Sequence, residues 1–205
     1  MRLTIDGAPR EFIPIKAFRQ AHDLPPEFGV ALFEPKDYTG LGRIDQAGAE
    51  LNALRAAVLA AIPPDLLLSQ WLSFAPELTR LFTDKLYVIN SNLRLHDVEI
   101  EFAAAGFADM CQAVIYARLR DATPPPFEAI YGAWLDQTAR VSQTLHPYRD
   151  WQVQMVTHAY GRAGMIVHRA DQTDYVQDSS LGCPAEGYMA ALLAEVAQHI
   201  LTAPR

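Results

Sequence analysis

Residues 96–201 contain one pattern twice, two amphipathic strands followed by an amphipathic helix, and this repeat constrains the fold more than any other feature of the chain. The first unit is predicted over His96–Val141 and the second over Trp151–Leu201. Strands alternate apolar and polar residues with a period of two, whereas helices place apolar residues three or four positions apart. The repeat predicts an α+β fold, in which two strand-strand-helix units build one antiparallel sheet and the N-terminal helices pack on it.

The first unit depends on two strand predictions. Over Asp97–Phe102, three carboxylates alternate with three apolar residues, which is typical of a half-buried strand with a charged outer face. Its partner is predicted over Cys111–Leu119, where every second residue is apolar. For that segment a helix is the alternative, because apolar residues also occur there at helical spacing, namely Phe107, Met110, Cys111 and Val114.

The second unit begins with the best-specified hairpin of the chain. Trp151, Val153 and Met155 share one face of its first strand. A three-residue turn over residues 162–164, with Gly164 left-handed, would put Met165 and Val167 on the same apolar face. Because a slip of one residue would turn every side chain over, this register is favoured over its neighbours. It places His158 directly opposite His168, beside Tyr160.

Proline and capping residues predict the helices. The run Pro124-Pro125-Pro126 precedes a predicted helix over residues 127–143, since proline lacks an N–H and is tolerated in a first helical turn. Pro184 similarly starts a helix over 184–201. Both are predicted to cover the sheet. Closer to the N-terminus, a helix from Asp45 carries an apolar stripe at helical spacing, namely Leu51, Leu54, Val58 and Ile62.

The rest of the N-terminal region is more irregular. Arg2–Ile5, the turn Asp6-Gly7 and a return strand to Ile13 predict a short hairpin that Pro14 ends. Residues 24–43 form a long loop with a strand predicted over Val30–Phe33. A further strand is predicted over Leu86–Ile89. We therefore expect an N-terminal strand and loop segment over residues 1–44 and an α+β domain over 45–205.

A helix predicted from Asp65 to Phe74, with a break or kink at Pro76, is apolar nearly all round. Such a helix is either buried in the core or covered by a partner. Trp71 is its largest side chain and is a candidate binding residue. Because these apolar side chains cannot all face one sheet, we expect the chain to form a homodimer.

Composition limits the function. The 205 residues carry a formal net charge of −7, which disfavours nucleic acid as a partner because binding requires Lys and Arg to neutralise phosphates. No apolar run reaches the ~20 residues of a membrane helix, and the N-terminus is typical of a strand rather than a signal peptide, so we expect a cytoplasmic protein without membrane contact. Two cysteines make no disulfide framework. Cys111 is expected to be an inert buried thiol, and Cys183, near a helix N-terminus, is the alternative reactive one.

Candidate site residues are few. His158, Tyr160 and His168 would lie together on the polar face of the hairpin, and with Trp71 they are the candidate binding residues. Two imidazoles can ligate zinc only with a third or fourth ligand, which no Cys or Asp supplies at a suitable spacing. The prediction is therefore no metal, no cofactor and no catalytic residue. The carboxylates of 97–101 are interpreted as a solvated face.

From Asp65 onward the predicted order is helix, three strands, helix, two strands, helix. This order, together with the acidity of the chain, resembles the fold class of type III secretion chaperones over about two-thirds of the chain. The resemblance implies a small, cytoplasmic, usually dimeric protein that binds segments of other proteins without catalysis. The leading hypothesis is therefore a non-enzymatic, chaperone-like α+β protein that binds another protein or itself. The alternative is a small-molecule-binding domain or enzyme with a pocket between the sheet and loop 24–43.

Overall fold

The computed structural model describes residues 1–28, 44–93, 97–159, 161–177 and 186–205. They have the mixed helix and sheet composition of the predicted α+β class. Two compact units are present: Met1–Leu41 with Leu135–Pro184, and Gly42–Trp134 with Ala185–Arg205. The chain therefore passes between the units three times, which differs from the predicted single boundary between residues 44 and 45. Such repeated passages depend on long-range contacts, which local sequence patterns do not report.

The first unit opens with a hairpin of β1 (Arg2–Ile5) and β2 (Ala8–Glu11), as predicted. Asp6 and Gly7 link the two strands with φ values of 51° and 74°. Positive φ at both central residues is the geometry that matches the twist of a two-residue hairpin, and Asp-Gly adopts it readily. The short β3 (Ile13–Pro14) and helix α1 (Ile15–Ala21) follow.

The main sheet of this unit has the order β3-β8-β7-β6-β4, with β5 also paired to β6. Its strands are β4 (Arg140–Val141), β5 (His146–Tyr148), β6 (Trp151–His158), β7 (Gly161–Arg169) and β8 (Gln172–Gln177). β3 is parallel to β8, and the other described pairings are antiparallel. The apolar face of β6 and β7 packs on Ile15 and Phe18 of α1 and on Phe28.

The hairpin of β6 and β7 confirms the predicted faces and corrects the predicted register. Val153 pairs with Val167 and Met155 with Met165, so these side chains share one apolar face as expected. However, His168 pairs with Gln152, six residues along β6 from the predicted partner His158. The shift is an even number of residues, and a strand repeats every two, so the faces survive it. The turn lies earlier in the chain than predicted, since His158 pairs with Gly161.

Gly164 lies inside β7 and not in a turn. The register shifts between Val156 and Thr157, whose partners are Gly164 and Arg162, so Ala163 is the extra residue of a bulge. A Cβ on Gly164 would lie 2.3 Å from the backbone oxygen of Val176 on β8. Glycine is needed here because the two strands approach too closely for a side chain.

The second unit is helical. Its helices are α2 (Ile44–Ala60), α3 (Leu68–Leu93), α4 (Asp97–Arg120), the first part of α5 (Phe127–Thr138) and α6 (Glu186–Thr202). α2 packs on α3 and α6, and α4 packs on the same two helices, so these four form a bundle. The predicted stripe is buried: Leu51, Leu54 and Val58 lie in α2, and Ile62 lies just past its end.

Three predicted strands, one before the first repeat unit and two within it, are wrong, because they lie in helices. Leu86–Ile89 belongs to α3, and both Asp97–Phe102 and Cys111–Leu119 belong to α4. For Cys111–Leu119 the helical alternative is correct: the buried side chains of α4 recur at intervals of three or four, namely Ile100, Ala103, Phe107, Met110, Cys111, Val114 and Ile115. α3 has the same kind of stripe, namely Leu68, Trp71, Ala75, Leu78, Phe82 and Leu86. The element order that resembled secretion chaperones is therefore absent from the described chain.

Of the two predicted effects of Pro76, a break or a kink, the break is wrong, since α3 continues through it. Proline removes the N–H that would bond to the carbonyl of Leu72. Both Pro76 and Leu72 are exposed, so water can solvate that carbonyl. The predicted helices over 127–143 and 184–201 are present with shorter or shifted bounds, but α6, which was predicted to cover the sheet, packs on α2 and α4. The predicted strand Val30–Phe33 and the helix entry at Cys183 lie outside the described residues.

Candidate functional site

The structure separates His158 from His168. His158 ends β6 opposite Gly161 and is only 4% exposed, whereas His168 on β7 is half-buried. The predicted cross-strand histidine pair is therefore absent. Tyr160 lies outside the described residues. Among the described residues there is no group of three or more His, Cys, Asp or Glu side chains that could hold a metal ion.

His168 belongs to a hydrogen-bond chain on the polar face of the sheet. Gln154 donates from Nε2 to the carbonyl of Ser142 at 2.9 Å, which turns its Oε1 toward His168 Nε2, also at 2.9 Å. Since Oε1 can only accept, His168 must donate from Nε2. In the neutral ring, Nδ1 then accepts from the hydroxyl of Thr173 at 3.1 Å. Both ring nitrogens are thus engaged, and the imidazole is held as a structural link between three strands.

Trp71 is 1% exposed and packs edge-on against Phe74 at a centroid distance of 5.6 Å. It therefore belongs to the core of the helical unit and presents no surface to a second chain. The apolar side chains of this region were expected not to face one way, and they do not: Leu68 and Trp71 are buried, whereas Leu67 and Leu72 are exposed.

The described start of loop 24–43 is packed on the sheet. Phe28 is fully buried between Phe18 and Tyr148, with ring centroids 5.8 and 5.0 Å away. Its carbonyl accepts two hydrogen bonds from Arg19, which fixes the segment in place. A pocket at this position would have to displace Phe28, so the described part of the loop favours a core over a ligand site.

The thiol of Cys111 is buried in α4, and this burial raises its pKa from 9.0 to about 12. A buried thiol stays protonated because the thiolate loses its hydration. Cys111 is therefore unsuited to nucleophilic chemistry at neutral pH, as the sequence predicted. Cys183 lies outside the described residues, so the prediction of its reactivity stays a prediction.

The carboxylates of 97–101 occupy the first turns of α4. Negative charge is favourable there because the N-terminus of a helix carries a partial positive charge. These carboxylates alternate with apolar residues, and this period of two is the reason why the sequence predicted a strand here.

The most distinctive described surface is the end of the hairpin that α3 and α4 form. The rings of Phe82 and Phe107 stack at 4.9 Å with an angle of 8° between their planes, which sets the level of the two antiparallel helices. Tyr87 lies five residues after Phe82 on α3, and Phe102 lies five residues before Phe107 on α4. Because the two helices are antiparallel, Tyr87 and Phe102 lie at the same height along the hairpin axis, and Val88 follows Tyr87 on α3. These three residues are called the hairpin end.

α3 and α4 are longer than the two helices that pack on them. α3 has 26 residues and α2 and α6 have 17 each, or about 39 and 26 Å at 1.5 Å per residue. At the other end of the bundle, the amide of Leu68 donates to the carbonyl of Pro204 at 2.8 Å, so α3 and α6 are aligned there. The last third of α3 thus extends beyond the first described turns of both shorter helices.

The side chains of the hairpin end are among the exposed large apolar residues of the described chain: Tyr87 is 42%, Val88 76% and Phe102 48% accessible. Isolated exposed apolar residues are common, and several large ones near one end of a hairpin are a candidate interaction surface. Sequence reasoning missed this surface because it assigned Tyr87 and Phe102 to strands. The signal was present, since helical spacing from Phe82 and Phe107 would have placed both side chains off the buried stripe.

Among the described helices, one segment, Ile100–Arg120 of α4, is long and apolar enough to span a membrane by length and composition. Almost half of it, 44%, is buried in the bundle. A core helix of a soluble protein meets the same criterion, so the segment does not assign the chain to a membrane.

No protein-family model matches the chain, and comparisons with curated proteins and with solved structures gave no significant match.

Proposed function

We propose that this chain is a non-enzymatic protein-interaction module that binds a short segment of another protein at the hairpin end. The observation that carries the proposal is the exposure of Tyr87, Val88 and Phe102 at one level of the α3–α4 hairpin. An apolar surface of this kind is favourable to cover, because each buried aromatic side chain contributes through area and ring packing.

The size of the surface favours a short segment over a stable homodimer. With the exposures given above and ~150–250 Å² for a fully accessible aromatic side chain, the three residues offer on the order of 300 Å². A stable protein–protein interface needs roughly 800 Å² from each partner. One or two turns of a bound peptide can cover the smaller area, and the hairpin end alone is too small for a lasting dimer.

The chemistry of the candidate polar residues also favours binding over catalysis. His168 is locked by Gln154 and Thr173, and Cys111 is held protonated by burial. The competing small-molecule hypothesis would place a ligand where Phe28 is packed.

The proposal is tested with a fluorescent 18-residue amphipathic peptide of leucine and glutamine, whose affinity is measured by anisotropy. We expect wild-type protein to bind it and the double variant Val88→Glu, Phe102→Glu to lose at least tenfold in affinity. The matched control Ser73→Glu, Gln112→Glu adds the same charge at exposed positions of the same two helices and should bind like the wild type. No binding by the wild type, or equal binding by the two double variants, would refute the proposed surface.

Sedimentation equilibrium of the wild-type chain tests the homodimer separately. The small area predicts a mass of 22.8 kDa at micromolar concentrations. A stable dimer that the hairpin-end variant dissociates would show that the occupant is a second copy and would overturn the proposal of a short segment.

A further inference from the structure

A second surface of the helical unit follows α4 along most of its length. A residue seven positions on returns to the same side of a helix, because seven residues make almost two full turns. Two such series, offset by three residues, therefore form one stripe along α4. All six members are exposed, namely Phe102, Ala105, Asp109, Gln112, Tyr116 and Leu119. We call these residues the α4 stripe.

The α4 stripe lies on the side of the helix opposite the buried one. Phe102 and Asp109 are five and two residues from buried Phe107, and at about 100° per residue this places them about 140° and 160° around the helix from it. The two ends of the stripe are apolar: Phe102 is 48%, Tyr116 46% and Leu119 38% accessible. Asp109 is the single charged member and lies near the middle. The spacing is that of a coiled-coil seam, in which one polar position can fix the register.

The apolar ends of the stripe are complementary to those of a second copy that runs in the opposite direction. When the midpoints of the two stripes coincide, Phe102 faces Leu119 of the second copy, and Ala105 faces Tyr116. Each contact occurs twice because the pair has two-fold symmetry. At the second level a small side chain thus meets a large one, which is how facing side chains fill the space between two helices.

The polar centre selects the antiparallel orientation. In the antiparallel pair Asp109 faces Gln112 of the second copy, whose side-chain amide can donate to the carboxylate. In a parallel pair each residue of the stripe would face itself, so two Asp109 carboxylates would meet, and like charges in contact are unfavourable. We infer that α4 is a homodimerisation surface, on which a second copy of this chain lies antiparallel along the α4 stripe.

The area of the stripe predicts a weak dimer. With ~150–250 Å² for a fully accessible aromatic side chain, Phe102 and Tyr116 offer roughly 200 Å² together, and all six residues offer on the order of 400 Å². A stable interface takes roughly twice this area from each partner. The dissociation constant should therefore be on the order of 100 μM, so the chain stays monomeric at the lower micromolar concentrations of the peptide assay. The dimer and the proposed function are thus tested separately.

Sedimentation equilibrium from 10 μM to 1 mM tests the dimer. We expect a mass close to 22.8 kDa at 10 μM and one that approaches twice this value at 1 mM. Gln112→Lys places an ammonium group opposite Asp109 at two sites of the dimer and should tighten association about fivefold. Gln112→Glu places a carboxylate there and should weaken association by a similar factor. The matched controls Ser73→Lys and Ser73→Glu make the same charge changes at an exposed position of α3 and should associate like the wild type.

The distance between two spin labels tests the orientation. The label is attached at Arg120→Cys in a Cys183→Ser background, in which buried Cys111 is unreactive. The antiparallel pair places residue 120 of one copy at the level of Glu101 of the other, so the labels should be about 29 Å apart along the helix axis. A parallel pair would bring them within about 15 Å, since packed helices are about 10 Å apart.

A chain that stays at 22.8 kDa up to 1 mM would refute the homodimerisation surface. So would equal changes in the Gln112 and Ser73 variants, because they would attribute association to the overall charge of the chain. A short distance between the labels would overturn the antiparallel pairing.

Discussion

Replacing Gly164 with alanine should destabilise the sheet unit, although alanine is ordinarily better than glycine inside a strand. The added Cβ would lie 2.3 Å from the carbonyl oxygen of Val176, 3.2 Å from Cα of Gln177 and 3.2 Å from Cδ1 of Phe12. Favourable carbon–oxygen contacts between strands are about 3.3–3.6 Å, so β7 and β8 would have to separate by roughly 1 Å. The first contact is with backbone, which cannot rotate away as a side chain can.

The cost follows from two opposing effects. Overpacking a close contact costs about 1–3 kcal/mol and distorts the pairs Gly164–Gln177 and Met165–Val176. Replacing glycine with alanine gains about 0.5–1 kcal/mol of backbone entropy. At the middle of each range the steric cost is larger, and a net loss of about 1 kcal/mol lowers the Tm by roughly 2–4 °C for a chain of this length.

Gly132→Ala is the matched control for Gly164→Ala. Gly132 lies within α5, and a Cβ there meets nothing within 4 Å. Alanine should therefore stabilise this helix by up to about 1 kcal/mol. Urea unfolding followed by circular dichroism gives both changes, and hydrogen exchange over residues 151–177 reports the sheet locally. A Gly164→Ala variant as stable as the wild type, with unchanged exchange in β7 and β8, would refute the close approach of these strands.

Two further predictions concern the helical unit. Burial raises the pKa of Cys111 from 9.0 to about 12, so the contribution of the neutral thiol to the free energy of unfolding is complete below pH 9 and is lost as the pH rises toward 12, by roughly 4 kcal/mol in total. Urea unfolding should show this fall in stability in the wild type and not in Cys111→Ala. Equal pH dependence of the two proteins would contradict the burial of the thiol. Trp71→Glu should unfold the helical unit because Trp71 is 1% exposed, whereas Leu72→Glu should be tolerated because Leu72 is 43% exposed. The ellipticity at 222 nm compares the helix content of the two variants. A Trp71→Glu protein that stays folded would show that Trp71 is not part of the core.

Local chemistry determined several elements of this protein in advance. Asp6-Gly7 specified the first hairpin, because this dipeptide accepts positive φ at both turn positions. The proline run before Phe127 specified the start of α5. The alternation from Trp151 to Met155 specified the buried face of β6, and that assignment survived a wrong register because the error was an even number of residues.

Tertiary structure decided what the local patterns left ambiguous. Cys111–Leu119 satisfied both a period of two and a helical stripe, and the contacts of α4 with α3 and α6 selected the helix by burying the stripe that includes Phe107 and Val114. The run of alternating carboxylates before Phe102 was consistent with either a strand face or a helix N-terminus, and the choice depended on the same packing.

The candidate site was the least predictable part. Whether Trp71 or Phe102 is exposed depends on how neighbouring helices pack, and that is a property of the assembled bundle: near the end of the hairpin of α3 and α4, Leu86 and Ile100 are buried while Tyr87 and Phe102 are exposed. The sequence contains the apolar residues and the information that sets the helix lengths. Only the packing of the four helices against one another determines which of those apolar residues remain at the surface.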